Sequence, residues 1–475
     1  MSLGLWLWII TIVFCTVFLI ISLRVRAKAT SSFSQFVIGG GTFPILLIFF
    51  TQFATIMGVG NFVGHAAKGY ALGLPHIVFI LGEQGSKIIF ALVFAGLAGR
   101  MTYKTLSELI DDLLVRDKIT RLLVGIIASC IMVAWVGGQG KGFGALFHTI
   151  TGANEIVIIL FFSAIFILYT TLGGIYSVVW TDLFQGILVL VFGAVFYFFA
   201  FKPIGFSLAT LGAKMKEVGA GELWSFASVD FLVLVTKFVT GVIGILAAQI
   251  YWQRCFAAKD SKTARNGLLY SGIIAIILVM LTALVGMVIK VLNPNLDPGQ
   301  AMSWFLQNHI PTFVAAVIFA LILAAGMSSA DSNLNSAVTL IVNDLVLPFK
   351  KDAQDRWLVR LSIILTIVVG AFAALAAIWA SSIIGLFAKA YSLAGGAIVP
   401  LLIVGLIWKK KRGEKFTMGT KNSNVTPWGA RTGIVVGGVL TQIPALGPYR
   451  NLIALLISAI AVVVVSLATK EKTAA

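Results

Sequence analysis

Charged residues and cysteines are scarce in this sequence. Asp, Glu, Lys and Arg make up only 11% of the 475 residues, whereas 59% are hydrophobic, and the mean hydropathy is +1.01. A soluble domain needs more charge on its surface, so this composition excludes soluble classes and predicts a polytopic helical membrane protein. The three cysteines lie in or at the end of apolar runs without a pairing pattern, so no disulfide framework is expected.

Acidic residues are also few, which leaves the chain strongly basic. Its 35 Lys and Arg against 18 Asp and Glu give a formal net charge of +17. Such a charge can indicate a nucleic-acid partner. Here, however, most basic residues flank apolar runs, where they act as signals for membrane topology. The lipid bilayer is therefore the expected partner, and nucleic acid is not.

Thirteen apolar segments can be drawn as membrane helices, namely 5–23, 43–71, 74–99, 120–150, 153–172, 177–201, 231–256, 267–292, 312–347, 357–380, 383–408, 429–447 and 450–469. The first has basic residues only after it, the reverse of a cleaved signal peptide, so we expect an uncleaved helix with its N-terminus outside. Most Lys and Arg then fall in cytoplasmic connections. The sequence predicts an all-α, multi-pass protein of the cell (plasma or inner) membrane, with about 13 transmembrane helices and a cytoplasmic C-terminus.

The longest connection, 202–230, divides the middle of the chain into two blocks of five segments, 43–201 and 231–408. An extra helix and loop (1–42) precede them, and a loop with two further helices (409–475) follows. Each block opens with a glycine-interrupted helix: the first carries A-T-I-M-G-V-G-N at 54–61, and the second carries Gly241 and Gly244. Glycines also permit close helix packing. Interruptions paired between two halves, however, indicate an inverted-repeat transporter with a site at mid-membrane.

A polar cluster interrupts the apolar segment 312–347. Seven of nine consecutive residues are polar there: Ser328, Ser329, Asp331, Ser332, Asn333, Asn335 and Ser336. Positions i, i+3 and i+4 share one helix face, so hydroxyls and small residues line a surface that suits a hard cation with oxygen ligands. The alternative is that these side chains bond to their own helix or join neighbouring helices. A carboxylate at membrane depth favours the functional interpretation.

Three stretches together resemble the sodium:solute symporter family, whose members include sodium-coupled sugar, proline, pantothenate and choline transporters. Residues 174–185 match its G-x-x-x-V-x-x-T-D-x-x-Q signature, and 253–259 match Q-R-x-x-A-A-K. The third stretch is the polar cluster at 328–336. The resemblance covers roughly residues 36–411. It implies a leucine-transporter-type core of five plus five inverted-repeat helices, transport by alternating access, and Na+ as the coupling ion without any other cofactor.

The resemblance also implies two cation sites. The positions matching the family's principal sodium site are the backbone carbonyls of Ala54, Met57 and Ala325 and the hydroxyls of Ser328 and Ser329.

A second sodium site occurs in some members, and here it would place Asp182 opposite Ser328, Asp331 and Ser332. Members with that site carry Ser where this chain has Asp331. Two neighbouring carboxylates repel unless a cation or a shared proton intervenes, so a proton is an alternative occupant.

Candidate solute-binding residues are other polar groups in the membrane segments. Glu83 and Lys87 are spaced i, i+4, and a structural ion pair is the favoured interpretation of that spacing. Lys141 lies in the glycine-rich stretch 135–143, close to mid-span, and is the expected contact for a solute carboxylate. The full set of candidates is Asn61, Glu83, Gln139, Lys141 and Tyr391.

The function expected from these features is sodium-coupled symport of a small organic solute, an amino acid or organic acid. Symport of choline or another quaternary amine, and proton-coupled transport, are the alternatives. A transporter-like sensor would need a signalling domain, which the sequence does not carry, and a channel would need polar residues along several segments rather than at one depth. Neither a metal cluster nor an activated nucleophile suggests an enzyme. A monomer is the expected assembly.

Overall fold

The computed structural model describes residues 2–350, 352–380 and 383–470. Within these residues the chain is helical, as backbone in a bilayer must be, and one isolated bridge pairs Phe43 with Ala258. The helices of the bundle are α1 (Leu3–Ala29), α2 (Ile45–Ile56), α3 (His65–Leu72), α4 (Pro75–Val93), α5 (Lys118–Thr151), α6 (Glu155–Phe201), α7 (Phe231–Ala247), α8 (Gln249–Ala257), α9 (Ser261–Leu292), α10 (Thr312–Leu340), α11 (Asp355–Trp379), α12 (Ile383–Ile407), α13 (Pro427–Leu440) and α14 (Arg450–Ala468).

Short helices connect these elements. Five are α-helical: Phe33–Ile38, Ala95–Ala98, Leu106–Ile110, Leu208–Glu217 and Ala301–Asn308. Three are π-helical turns: Gly60–Gly64, Asp111–Val115 and Ile341–Val346. The 3-10 turns are Gly39–Gly41, Lys202–Ile204, Gly221–Trp224, Phe226–Ser228, Pro298–Gln300 and Pro444–Tyr449.

The described part of the chain contains nine helices long and apolar enough to cross a membrane. Two bent pairs, α2 with α3 and α7 with α8, bring the number to eleven. At 1.5 Å per residue, α6 is about 70 Å long, more than twice the hydrocarbon thickness. It therefore has the length of both segments predicted at 153–172 and 177–201. The count of thirteen and the orientation of the termini stay predictions.

Gly174 divides α6 at the connection predicted between those two segments. Its φ of +47° and ψ of −140° lie outside the helical region. A side chain there would be strained, and its Cβ would lie 2.5 Å from the backbone oxygen of Phe36. Glycine thus allows the chain to bend and the short helix Phe33–Ile38 to pack against the bend.

The first predicted interruption occurs where the glycines indicated. Helix α2 ends at Ile56, Met57 caps it with non-helical angles, and a π-helical turn, Gly60–Gly64, leads into α3 at an angle of 47°. Such turns are frequent at functional sites.

The second interruption was predicted in the wrong place. The break between α7 and α8 lies at Ala248, which is extended, and bends the pair by 44°. Gly241 and Gly244 lie inside α7, where a Cβ would collide with the backbone of Glu83 and the ring of Tyr391, respectively. These two glycines therefore allow neighbouring helices to pack closely and do not interrupt α7.

Helix α10 is the most enclosed of the membrane helices described. In its most apolar stretch of 18 residues, 83% of the residues are buried, and every polar residue from Ser328 to Ser336 is among the buried ones. Buried polar side chains need hydrogen-bond partners. The partners of this cluster locate the candidate site.

Candidate functional site

The break after α2 lies against α10. The Ser329 hydroxyl donates a hydrogen bond of 2.6 Å to the backbone oxygen of Thr55. This carbonyl belongs to the last turn of α2, whose oxygens have no complete set of helical partners because the helix ends there. Gly58 permits the approach, since a Cβ at this position would collide with the Ser329 Oγ.

The predicted principal sodium site maps onto this contact. Ala54 and Met57 flank Thr55 at the end of α2, and Ala325 lies one turn before Ser329 on α10; all are buried. Carbonyl and hydroxyl oxygens without bulky neighbours form a donor set that fits a small hard cation. The Ser328 hydroxyl points elsewhere and donates to Asp182 Oδ1 at 2.5 Å.

Asp182 on α6 is the centre of a second polar cluster. Besides Ser328, it accepts hydrogen bonds from the hydroxyls of Thr51 and, at 3.4 Å, Ser332. The structure thus brings Asp182, Ser328 and Ser332 together, three of the four residues of the second predicted cation site. All three side chains are buried, so a charge here depends on a nearby counter-charge.

That counter-charge is Arg254 on α8, a residue that sequence reasoning did not select. Its Nη2 lies 3.9 Å from Asp182 Oδ2 and donates to the Ser332 hydroxyl at 2.5 Å, with both charged side chains fully buried. The signal was present, because Arg254 is the Arg of the Q-R-x-x-A-A-K motif.

Asp331 lies beside this cluster and contacts α6 separately. Its Oδ2 accepts a hydrogen bond of 3.4 Å from the Thr181 hydroxyl, while its buried Oδ1 has no hydrogen-bond partner among the described residues. Two carboxylates, Asp182 and Asp331, therefore face a single guanidinium. If both are ionised, the cluster has one negative charge without a protein partner.

A cavity lies beside the α2 break, between α4, α5, α8, α10 and α12. Its lining combines polar and aromatic side chains. Four of the five predicted solute-binding residues line it: Asn61, Glu83, Gln139 and Tyr391. The residues that sequence reasoning did not place there include Gln84, Lys87, Trp135, Tyr251, Asn333 and Phe387. Ser329 also lines this cavity, so the candidate sodium site and the cavity share a wall.

Two of the four candidates stabilise the break itself. The Gln139 side-chain oxygen accepts a hydrogen bond of 2.9 Å from the Val59 backbone N–H, and the Asn61 amide donates to the backbone oxygen of Ile56. Both side chains therefore satisfy backbone groups that the interrupted helix leaves free.

The ion pair expected between Glu83 and Lys87 does not form. The Glu83 carboxylate instead accepts hydrogen bonds from Tyr391 at 2.6 Å and Gln84 at 2.9 Å, and lies 3.2 Å from His65 Nε2. Lys87 Nζ donates to the Glu83 backbone oxygen at 3.2 Å and to Gln84 Oε1 at 2.7 Å. The prediction was wrong because residues on other helices, α3 and α12, reach the carboxylate.

Lys141 is not brought to the central cavity. Its ammonium pairs with Glu155 at 2.8 Å, close to where α5 ends and α6 begins, and it lines a different cavity with Ala145 and Pro298. A protein partner satisfies this charge, and the site is partly exposed. Lys87 is the ammonium group that borders the central cavity.

Comparison with known proteins agrees with these features. A sequence model of the sodium:solute symporter family matches residues 36–415. The chain belongs to this family. The symporter is 28% identical to the sodium/pantothenate symporter of Escherichia coli K12 over 448 residues, covering 88% of this chain and 86% of that protein. It is 25% identical to the sodium/sialic acid symporter of Proteus mirabilis, and the match covers 87% of this chain and 90% of that protein. It is 26% identical to a high-affinity choline transporter of Drosophila melanogaster, and that match covers 82% of this chain and 64% of the transporter.

Solved structures share the fold of the symporter. A sodium-coupled sialic acid symporter in a substrate-bound, outward-open state has a TM-score of 0.82 at 19% identity, covering 98% of both chains. The nucleobase-cation transporter Mhp1 has a TM-score of 0.61 at 15% identity, and the match covers 91% of this chain and 94% of Mhp1. The family resemblance and the helical transporter fold are thereby confirmed. The chain is a membrane-embedded, sodium-coupled symporter of a small organic solute, in a family of transporters rather than enzymes.

Proposed function

We propose that the coupling sodium binds between the α2 break and α10, with Ala54, Met57, Ala325, Ser328 and Ser329 as its ligands. The Ser328 hydroxyl, which donates to Asp182 in this structure, would turn to the ion when sodium binds. The contact from Ser329 to Thr55 supports this site because it already joins the two elements through oxygen atoms. Ser329 also lines the solute cavity, so an ion bound there acts on the same wall that the solute contacts. Sodium binding would thus stabilise the cavity that accepts the solute, which is the coupling that symport requires.

A second cation is proposed at the cluster of Asp182, Asp331 and Ser332. The charge balance supports it, since Arg254 compensates only one of the two carboxylates. A single monovalent cation, sodium or a proton, would balance the other.

The Asp331→Asn variant tests this second site. Removing one carboxylate leaves Arg254 and Asp182 balanced, so we expect the number of cations transported per solute to fall by one. The measurement is the reversal potential of solute flux in proteoliposomes at fixed sodium gradients. An unchanged stoichiometry in a normally inserted variant would show that Asp331 carries no coupling cation.

For the solute we propose a small carboxylate-bearing molecule, an amino acid or organic acid, held by Lys87. The Lys87 ammonium has three protons and two identified acceptors, so it retains a donor for a ligand in the cavity. The Glu83 carboxylate already accepts from Tyr391 and Gln84 and lies against His65, so it has less capacity for a cationic ligand. The position of Lys87 is the observation that carries this proposal.

Two of the relatives support such a solute, since pantothenate and sialic acid both carry a carboxylate, whereas the choline transporter does not. A quaternary amine remains the second candidate because Trp135, Tyr251, Phe387 and Tyr391 give the cavity an aromatic wall. A thermal-shift panel of pantothenate, sialic acid, proline and choline, in sodium and in potassium, separates the two. Stabilisation by a carboxylate solute in sodium supports the proposal, whereas stabilisation by choline alone contradicts it.

Lys87→Gln and Lys141→Gln form a matched pair of lysine variants for this question. The first should lose a charge-assisted hydrogen bond to the solute, about 1.5–3 kcal/mol, which is at least about tenfold in affinity. The second loses only its pair with Glu155 and should retain solute affinity. The measurement is solute binding to each purified variant at saturating sodium. Weakened binding in Lys141→Gln and normal binding in Lys87→Gln would reverse the assignment.

The placement of the symporter in the cell is also a proposal. We infer a multi-pass protein of the plasma or inner membrane, with the N-terminus outside and the C-terminus in the cytoplasm. The distribution of basic residues supports this orientation. Labelling of single cysteines from either side of the membrane, at 202–230 and at 409–428, would test it.

A further inference from the structure

Three buried ionisable side chains link the central cavity to a second cavity at the end of the bundle. His65 Nε2 lies 3.2 Å from Glu83 Oε2, and His65 Nδ1 lies 2.9 Å from His76 Nε2. Glu83 lines the central cavity, whereas His76 lines the second cavity, which we call the end cavity. His65, between them, is only 1% exposed.

Local folding places these groups in line. The π-helical turn Gly60–Gly64 sets His65 as the first residue of α3, and the chain reverses at Gly73, whose φ is +63°. His76 then lies in the first turn of α4, and Glu83 lies two helical turns further along the same helix. The hairpin of α3 and α4 therefore aligns His65 between the two residues of α4.

We propose that His76, His65 and Glu83 form a proton path, so that protons from the end cavity reach a proton-binding site at Glu83 in the central cavity. This site is separate from the sodium ligands, and its ligand is a proton. Neither the family match nor the motifs of the sequence assign it.

The geometry permits a balanced transfer. At the start, the Glu83 carboxylate accepts the Nε2 proton of His65, and His65 Nδ1 accepts the Nε2 proton of His76. When a proton from the end cavity binds His76 Nδ1, the His76 Nε2 proton moves to His65 Nδ1, and the His65 Nε2 proton moves to Glu83 Oε2. One proton enters and one is bound at Glu83, while both imidazoles end neutral in the other tautomer. Release follows the same path in reverse.

The surrounding charges favour passage of the proton through the histidines over a lasting positive charge on either imidazole. The ionisable groups facing this path from the neighbouring helices are Lys68, Lys87, Lys237, Tyr251 and Tyr391. Lys68 and Lys237 line the end cavity with His76, so their positive charges oppose a lasting imidazolium. Glu83 is the carboxylate at the other end of the path. Because the positive charge of Lys87 stabilises its anion, Glu83 takes up a proton only on acidification.

Proton binding at Glu83 has a consequence for transport that rests on the proposed carboxylate solute. A neutral Glu83 leaves the positive charge of Lys87 without its nearest anionic neighbour, which favours a carboxylate in the cavity. Acidification on the side of the end cavity would then increase solute affinity. The proton path itself needs neither sodium nor solute.

The test follows proton uptake by the purified full-length protein in detergent, without sodium and without solute. After a rapid acid jump, time-resolved infrared spectroscopy records the carbonyl band of a newly protonated carboxylic acid. We expect Glu83→Gln to remove the component due to Glu83. His76→Ala and His65→Gln should slow its appearance by about 100-fold, the scale of catalysis by a positioned acid–base group. Imidazole added to His76→Ala should restore the rate, and His148→Gln, a histidine outside the path, should match the unmodified protein.

The proposal is overturned if Glu83→Gln leaves the band unchanged, or if His76→Ala and His65→Gln gain it at the normal rate. Failure of imidazole to accelerate uptake in His76→Ala would also contradict it. Sodium-induced thermal stabilisation, measured in parallel, verifies the fold of each variant. Absence of that stabilisation in the unmodified protein would count against the sodium site alone and would leave the infrared result interpretable.

Discussion

The Ser328→Ala/Ser329→Ala double variant is expected to lose sodium-dependent stabilisation of the purified symporter. Sodium at about 100 times its dissociation constant stabilises the folded protein by about 2.7 kcal/mol, and this increment should disappear. The reason is that both substitutions remove hydroxyl ligands, while the carbonyls of Ala54, Met57 and Ala325 remain. Thermal unfolding in sodium and in potassium measures the effect, and sodium-driven uptake should fall in parallel.

A buried serine elsewhere provides the control. The Ser362 hydroxyl on α11 donates only to the Leu358 backbone oxygen of its own helix, at 2.8 Å. Ser362→Ala should therefore keep the full sodium response. A double variant that is normally folded and still stabilised by sodium would refute the proposed ligands.

Arg254→Gln should be the most destabilising single substitution among the site residues. It leaves the Asp182 carboxylate buried without its guanidinium, and breaking a buried pair from one side costs about 3–5 kcal/mol. Denaturant-induced unfolding in mixed micelles measures the loss. Arg360→Gln, which changes an exposed arginine of α11, should have little effect.

A second substitution distinguishes charge imbalance from lost packing. Asp182→Asn removes the uncompensated carboxylate, so Arg254→Gln/Asp182→Asn should be more stable than Arg254→Gln alone. If the double variant is instead less stable by the sum of the two single effects, Arg254 acts through packing, and the charge balance proposed for this cluster is wrong.

Local sequence signals predicted the elements of the principal site. The polar residues of α10 and the glycines near Gly58 are close in sequence to the features they create, a buried polar face and a broken helix. The break at Ala248 has no comparable signal. Alanine is a good helix former, so this interruption depends on tertiary packing that a propensity argument cannot include.

Partners across helices could not be read from the sequence. The i, i+4 spacing of Glu83 and Lys87 describes one isolated helix, whereas in the fold Tyr391 and His65 reach the carboxylate from other helices. Lys141 was assigned to mid-membrane because the glycine-rich segment has no boundary signal, and the pair with Glu155 depends on how α5 meets α6.

His65 and His76 illustrate the same limit. Each lies near the end of a predicted segment, where a structural role is the simplest interpretation. Only the turn at Gly73 and the π-helical turn before His65 bring them together with Glu83. Their spacing in the sequence carries no such signal.

The central claim is that sodium, bound by Ser329 and the end of α2, acts on the solute cavity through their shared wall. Measuring sodium affinity with and without solute, and solute affinity with and without sodium, tests it most directly. Because the coupling between two binding equilibria is reciprocal, both affinities should rise by the same factor, and both effects should vanish in Ser328→Ala/Ser329→Ala. Sodium affinity that is independent of solute, in protein that binds both ligands, would contradict the account.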